Sequence, residues 1–216
     1  MKSPQDQQHY RIALICEGQE ELMYFYALMD LGVFNQIYEI EPILATNGND
    51  DRVGGAGNIP AFFQDCLTKP YDAVFFVLDV DSWPHEAFEA VKKKISLIVG
   101  PAMFHRFALF TNPCTLQLMV LHFEKTILST QSKVANSGII QRIWPKIKKY
   151  DAKKWQLDEI KYSFNKENYE TMKANAKSLL GKTSNECPST NIVDFFENLE
   201  SPNPAWLRNN IQAIKK

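Results

Sequence analysis

Two aspartates separated by one residue, Asp79 and Asp81, close the run Asp-Ala-Val-Phe-Phe-Val-Leu-Asp-Val-Asp that begins at Asp72. Val74 to Leu78 are five consecutive apolar residues rich in β-branched and aromatic types, the composition of a strand buried on both faces of a parallel sheet. Side chains two apart on a strand point the same way, so both carboxylates would meet one spot at the strand's C-terminal edge, where open α/β sheets bind ligands. Carboxylates sharing a site repel unless a cation lies between them, and hard divalent ions such as Mg²⁺ take oxygen ligands of this kind. Asp also caps strands and opens turns, so the pair alone leaves a plain turn as the alternative.

The same arrangement occurs at the start of the chain. Arg11 to Cys16 is a second short apolar run, and Glu17-Gly18 follows it, so Glu17 falls at a strand end as Asp79 does. Gly18 permits a tight turn and close backbone approach. From Gln19 the period changes, with Leu22, Phe25, Tyr26 and Met29 marking an amphipathic helix that ends near Gly32. Glu20 and Glu21 sit in its first turn, where negative charge suits the helix dipole. That placement suffices for Glu20, while Glu21 is kept as a further candidate for holding or supporting a metal.

These acids need a scaffold, and the remaining pattern supplies one. Tyr38 to Thr46, with Pro42, reads as an edge strand. Asn47 to Asn58 is a glycine-rich loop without the Lys-Ser/Thr of a P-loop. Helices are expected over Ile59–Leu67, Pro84–Val99 and Leu116–Phe123, and a strand over Phe104–Phe110. Strand and helix alternate four times, which argues an α/β fold with a mostly parallel sheet. His122, on an apolar helix, reads as a satisfied core histidine. Further helices are expected over 136–144, 165–180, 190–199 and 203–215, the last with Asn203 as N-cap and Pro204 behind it.

The 216 residues, 45% hydrophobic, suffice for one large domain or a domain with an appendage. No apolar run approaches a membrane span, the first ten residues are polar, and four scattered cysteines form neither a zinc pattern nor a disulfide framework, so a reducing cytoplasm is the expected compartment. Net charge is −1, yet residues 1–125 carry −7 and residues 126–216 carry +6. An acidic half with a metal site and a basic half that meets a polyanion would give this split, as would solvated helix faces. Within the basic half, Lys146, Lys148, Lys149, Tyr150, Lys153, Lys154 and Trp155 interleave lysine with aromatics. Lysines neutralise phosphates and aromatic rings stack on unpaired bases. The plainer reading is a solvated face whose aromatics pack on the core.

Several blocks together resemble the RloB-like proteins, a Toprim-domain family of bacterial restriction and phage-defence loci. Cys16-Glu17-Gly18-Gln19-Glu20-Glu21 with Tyr24-Phe25 is similar to that family's opening motif, and Tyr71-Asp72 leading to Asp79-Val80-Asp81 looks like its Asp-x-Asp strand. Asn112-Pro113-Cys114 with Leu121-His122-Phe123, and Pro188-Ser189-Thr190 with Val193, resemble two later blocks. The resemblance implies a Toprim-like mostly parallel sheet flanked by helices over 1–130 and a helical, basic C-terminal extension over 131–216 packed on it. It implies a Mg²⁺ or Mn²⁺ site at Glu17, Asp79 and Asp81, with Glu17 as general acid/base or metal-linked acid. Three departures stand out: Leu116 where the family has glutamate, Glu20 where threonine is usual, and Ser82 where a further acid is common.

The expected function is metal-dependent phosphodiester hydrolysis of DNA or RNA, tRNA included, by a defence effector under the control of an ATPase partner from the same locus. A homo-oligomer stays open. The alternative is a non-catalytic module that docks the ATPase. A weaker third is a small-molecule phosphotransfer enzyme using the glycine-rich loop.

Overall fold

In the computed structural model, which describes residues 9–46, 54–80, 86–208 and 210, a five-stranded sheet lies between two layers of helices. The strands are β1 (Tyr10–Cys16), β2 (Tyr38–Leu44), β3 (Ala73–Asp79), β4 (Ala108–Asn112) and β5 (Ser189–Thr190), in the spatial order β2-β1-β3-β4-β5. All neighbours are parallel except β5, which runs antiparallel to β4. This is the mostly parallel α/β sheet that the strand-helix alternation leads one to expect, and it is consistent with a Toprim-like fold.

Residue parity assigns the two faces. Ile12, Leu14 and Cys16 of β1, with Ala73, Phe75 and Val77 of β3, pack against α1 (Gln19–Asp30), α4 (Leu116–Leu121), α7 (Lys166–Leu179) and α8 (Ile192–Glu200). Ala13 and Ile15, with Val74, Phe76 and Leu78, pack against α2 (Ile59–Leu67) and α3 (Glu86–Val99). The first face also takes α5 (Ser137–Ile143) and α6 (Lys154–Tyr162), so helices from the second half of the chain share a core with α1. Phe196 of α8 lies at its centre, with the rings of Tyr24, Phe25, Phe34 and Tyr169 between 5.7 and 6.2 Å away. Of these rings, the fully buried Tyr24, Phe25, Tyr169 and Phe196 each contribute roughly 1.5–3 kcal/mol of transfer free energy, and the partly buried Phe34 less.

From β1 the chain crosses one face through α1 to reach β2, then the opposite face through α2 to reach β3 on the other side. The C-terminal ends of β1 and β3 are therefore the point where the winding direction reverses, and a crevice opens there. Glu17 and Asp79 stand at those two ends.

Three segments differ from the pattern reading. The apolar run at Phe104 does not begin a strand: Pro101–Arg106 forms a 3-10 turn after Gly100 (φ +90°), and β4 starts only at Ala108. Phe104 and Phe107 face the α2–α3 layer, so their apolar character serves packing, while His105 and Arg106 interrupt any strand alternation. Residues 203–215 begin with the expected Asn203 cap, whose Oδ1 accepts the Ala205 N–H at 3.0 Å, but Pro204–Leu207 is a 3-10 turn. Residues 209 and 211–216 of that segment, residues 47–53 of the glycine-rich loop, and Asp81 lie outside the described residues.

Both lateral edges of the sheet are modified. On β2, Pro42 removes a donor, and exposed Glu39 and Glu41 flank it opposite Arg11. Beyond β4 the two-residue β5 is extended by the Asn191 side chain, whose Oδ1 accepts from Phe110 N–H and whose Nδ2 donates to the Ala108 carbonyl, both at 2.8 Å. No helix among the described residues is long and apolar enough to cross a membrane.

Candidate functional site

Asp79 continues the odd-numbered face of β3, so its carboxylate turns toward α1 and the loop before α4. There Thr115 holds it twice, the backbone N–H donating to Oδ1 at 2.8 Å and the hydroxyl donating to the same oxygen at 2.9 Å. Glu17 reaches across from the neighbouring strand end, its Oε2 accepting the Asp79 N–H at 3.1 Å. Glu21 is buried in the first turn of α1 and accepts the Gly18 N–H at 2.8 Å, closing the helix N-terminus. Glycine is required at Gly54, where a Cβ would lie 2.1 Å from the Glu17 carbonyl oxygen, whereas a Cβ on Gly18 would meet only the end of the Glu21 side chain, at 3.0 Å.

The acids are close enough to disturb one another. Burial first, then the charges of Glu21, Glu17 and Glu20, push the Asp79 carboxyl well above the usual range. Burial and the Glu20 charge push Glu21 up to about 7, against the Thr115 and Gly18 hydrogen bonds that favour its anion. Burial and neighbouring acids likewise hold the Cys16 and Cys114 thiols protonated. A cluster of carboxylates that disfavour one another's ionisation is a recurrent mark of a functional site.

Glu20 is the unexpected member. Its Oε1 accepts the Tyr150 hydroxyl at 2.7 Å and its Oε2 meets Lys133 Nζ at 3.1 Å, with that ammonium 5.6 Å from the Tyr150 ring centre. Helix-dipole placement alone therefore does not account for Glu20. Glu17, Glu20, Asp79, Cys114, Leu116 and Lys133 line a cleft of about 220 Å³.

Tyr150 belongs to the basic-aromatic run, and it is buried, so the run is tethered to the acidic cleft. Gln156 gives the segment a definite shape, accepting Asp151 N–H at 2.9 Å and Lys153 N–H at 3.1 Å and donating to the Lys149 carbonyl. Lys146 pairs with Glu159, while Lys149 and Lys153 share Asp151 at 3.7 Å each. Lys148 and Lys154 make no ion pair among the described residues, and Trp155 is half exposed. The structure thus brings Glu17, Glu21 and Asp79 together and sets the lysine run beside them. Thr115 and Lys133 were not singled out by the sequence as site residues, and Tyr150 was read only as part of the basic-aromatic run. Thr115 could have been found, because it opens the helix that follows β4; Lys133 carries no local signal.

The donor set fits a hard divalent cation in its chemistry, being all oxygen with one oxygen of each acid anchored by a backbone N–H. Among the described residues no group of three or more His, Cys, Asp or Glu side chains is drawn together in metal-holding geometry. A partial set suits Mg²⁺, which keeps several waters and commonly takes one or two carboxylates together with substrate phosphate.

Fold and cleft define an α/β protein with a carboxylate cluster at the switch point of a mostly parallel sheet. A family model for RloB-like proteins matches residues 12–199, and the chain belongs to that family. No curated protein and no solved structure matched the chain.

Proposed function

We propose that this protein is a Mg²⁺- or Mn²⁺-dependent nuclease that hydrolyses phosphodiester bonds in DNA or RNA, an effector of a bacterial anti-phage or restriction-associated system controlled by an ATPase partner. The observation that carries the reading is the tether from Glu20 to Tyr150, which sets a lysine-rich segment beside a cleft of crowded carboxylates. Such an arrangement suits a polyanion whose backbone is cut where the acids lie. Membership of the RloB-like family supports the same reading.

Asp79, with Glu17 or Glu21 beside it and Asp81 as a further ligand, would hold the metal ion. When bound, the ion supplies charge stabilisation on a phosphate oxygen during an in-line displacement. Thr115 fixes the Asp79 carboxylate through two hydrogen bonds, so its orientation is set before substrate arrives. Glu17 handles a proton or joins the metal ligands. Lys133, parked against Glu20 at the cleft wall, offers a positive charge to a phosphate. Lys146, Lys148, Lys149, Lys153 and Lys154 align the rest of the strand.

The test is cleavage of plasmid, single-stranded DNA and total tRNA with Mg²⁺ or Mn²⁺, comparing wild type with Glu17→Ala and Asp79→Ala, with and without an ATPase from the same locus. Metal-dependent cutting that both folded variants lose is the expected outcome, and the substrate cut names the polymer. Silence in every lane with an active ATPase present would sink the nuclease. It would favour the second reading, a non-catalytic module that docks the ATPase, for which buried Leu116 in the cleft wall speaks, an apolar group where relatives place an acid.

A further inference from the structure

Beside the acidic cleft lies an apolar cavity of about 460 Å³, within the range of small-molecule sites. Leu22, Met23 and Tyr26 of α1 form one wall, Leu157 of α6 and Ala152 the other, and Lys154 stands at the rim. Its orientation follows from contacts at its two ends. Asp30, the last residue of α1, pairs with Lys161 in the last turn of α6 at 2.6 Å. At the opposite end Glu20, in the first turn of α1, receives the Tyr150 hydroxyl just before α6 begins. The two helices therefore run parallel, and both N-termini point to the carboxylate cleft.

That geometry makes the cavity an apolar slot, closed at the far end by an ion pair, with Asp158 also on its wall and the ammonium of Lys154 toward the end that faces the carboxylate cleft. An apolar wall with an aromatic ring suits a planar base, and Lys154, which makes no ion pair among the described residues, suits the phosphate attached to it. Ala152 supports the assignment: it is a non-glycine residue at φ +55°, and such backbone outliers cluster where a ligand site is shaped. The acidic cleft lies beyond, reached along the chain from Gln19 to Glu17.

We propose that the slot between α1 and α6 binds an unpaired nucleobase of a single-stranded nucleic acid and so registers the adjoining phosphate at the carboxylate cleft. This rests on the nuclease reading for its purpose, but not for its test. A paired base cannot enter a slot between two helices, so the site selects single strands, loops or flipped bases.

The experiment measures equilibrium binding of the full chain in EDTA, where metal-dependent cleavage is off. The probes are a fluorescein-labelled oligo-dT, an oligo-rU of the same length, and a blunt DNA duplex, read by polarisation. At least one single strand is expected to bind more tightly than the duplex. Tyr26→Ala, which removes the ring, and Leu22→Trp, which fills the slot, should each weaken that binding about tenfold or more. Tyr26→Phe should keep it, and circular dichroism confirms that each variant is folded. Equal binding of duplex and single strands, no detectable binding of any probe, or single-strand affinity unchanged in both folded pocket variants would overturn the proposal. Slot-dependent binding without metal-dependent cleavage would remove the hydrolysis reading and leave the base site standing. Cleavage with no slot dependence would do the reverse.

Discussion

His122, the residue that caps the C-terminus of α4, lies between two polar partners, 1% exposed, with Nε2 3.0 Å from the Tyr24 hydroxyl and Nδ1 3.0 Å from Asn168 Oδ1. The network assigns the tautomer. Asn168 Oδ1 also accepts from the Asn165 N–H, and its Nδ2 donates to the Ser163 carbonyl, so Oδ1 is an acceptor and His122 Nδ1 carries the proton. Nε2 must then accept from Tyr24. A second proton on the ring would displace that donor and place a charge among Phe164, Phe123 and Tyr169. Burial accordingly lowers the pKa of His122 from 6.5 to about 4. The unfolded chain binds a proton below pH 6.5 that the folded chain refuses, so stability falls as pH drops through that window and stops falling near pH 4. At roughly 1.4 kcal/mol per unit the loss amounts to about 3 kcal/mol. Carboxyls in the cleft, raised in the folded state, slope the opposite way over the same range, so the effect must be read as a difference. Urea unfolding of wild type and His122→Phe between pH 8 and pH 4 supplies it. The variant should start lower by roughly 1–3 kcal/mol, since Tyr24 and Asn168 lose a partner, and the gap should close toward acid. Two acid limbs that run parallel from pH 6.5 to 4 would refute the reasoning.

Asp79→Asn keeps an oxygen for the two Thr115 donors and removes one charge from the crowded cleft. In EDTA its thermal midpoint should exceed that of wild type, while the rise that Mn²⁺ gives wild type should be lost; calorimetry checks both. Phe196→Ala opens the centre of the helical core and should cost about 3–5 kcal/mol by chemical denaturation. Lys148→Ala combined with Lys154→Ala should weaken binding of a single-stranded oligonucleotide and reduce the slope of log affinity against log salt by one to two units. An unchanged slope would place the polymer elsewhere.

The strands that end at Glu17 and Asp79 were legible because buried parallel strands leave a plain mark, an unbroken apolar run, and because a polar residue directly after such a run has one place to be. His122 as a core histidine was legible for the same reason, an isolated polar group on an apolar helix. Phe104 to Phe110 misled because an apolar run does not say whether it packs as a turn or a strand. β5 has only two residues, too few for any period. The partners of Glu20 were beyond local reading altogether, since Tyr150 lies 130 residues away in the chain. Tyr150 itself fits the plainer of the two readings of its segment, an aromatic packed inward, yet its hydroxyl is what ties that segment to the cleft.

Neither lateral edge of the sheet offers a continuous row of backbone donors and acceptors. Pro42 and the exposed glutamates interrupt β2, and the Asn191 amide occupies the backbone groups of β4 where β5 stops. Among the described residues both edges are therefore poor templates on which a second copy or an extended peptide could add a strand. Association through side chains on helices and loops is favoured instead. It can then be tuned by surface substitutions without disturbing the sheet that holds the acids in place.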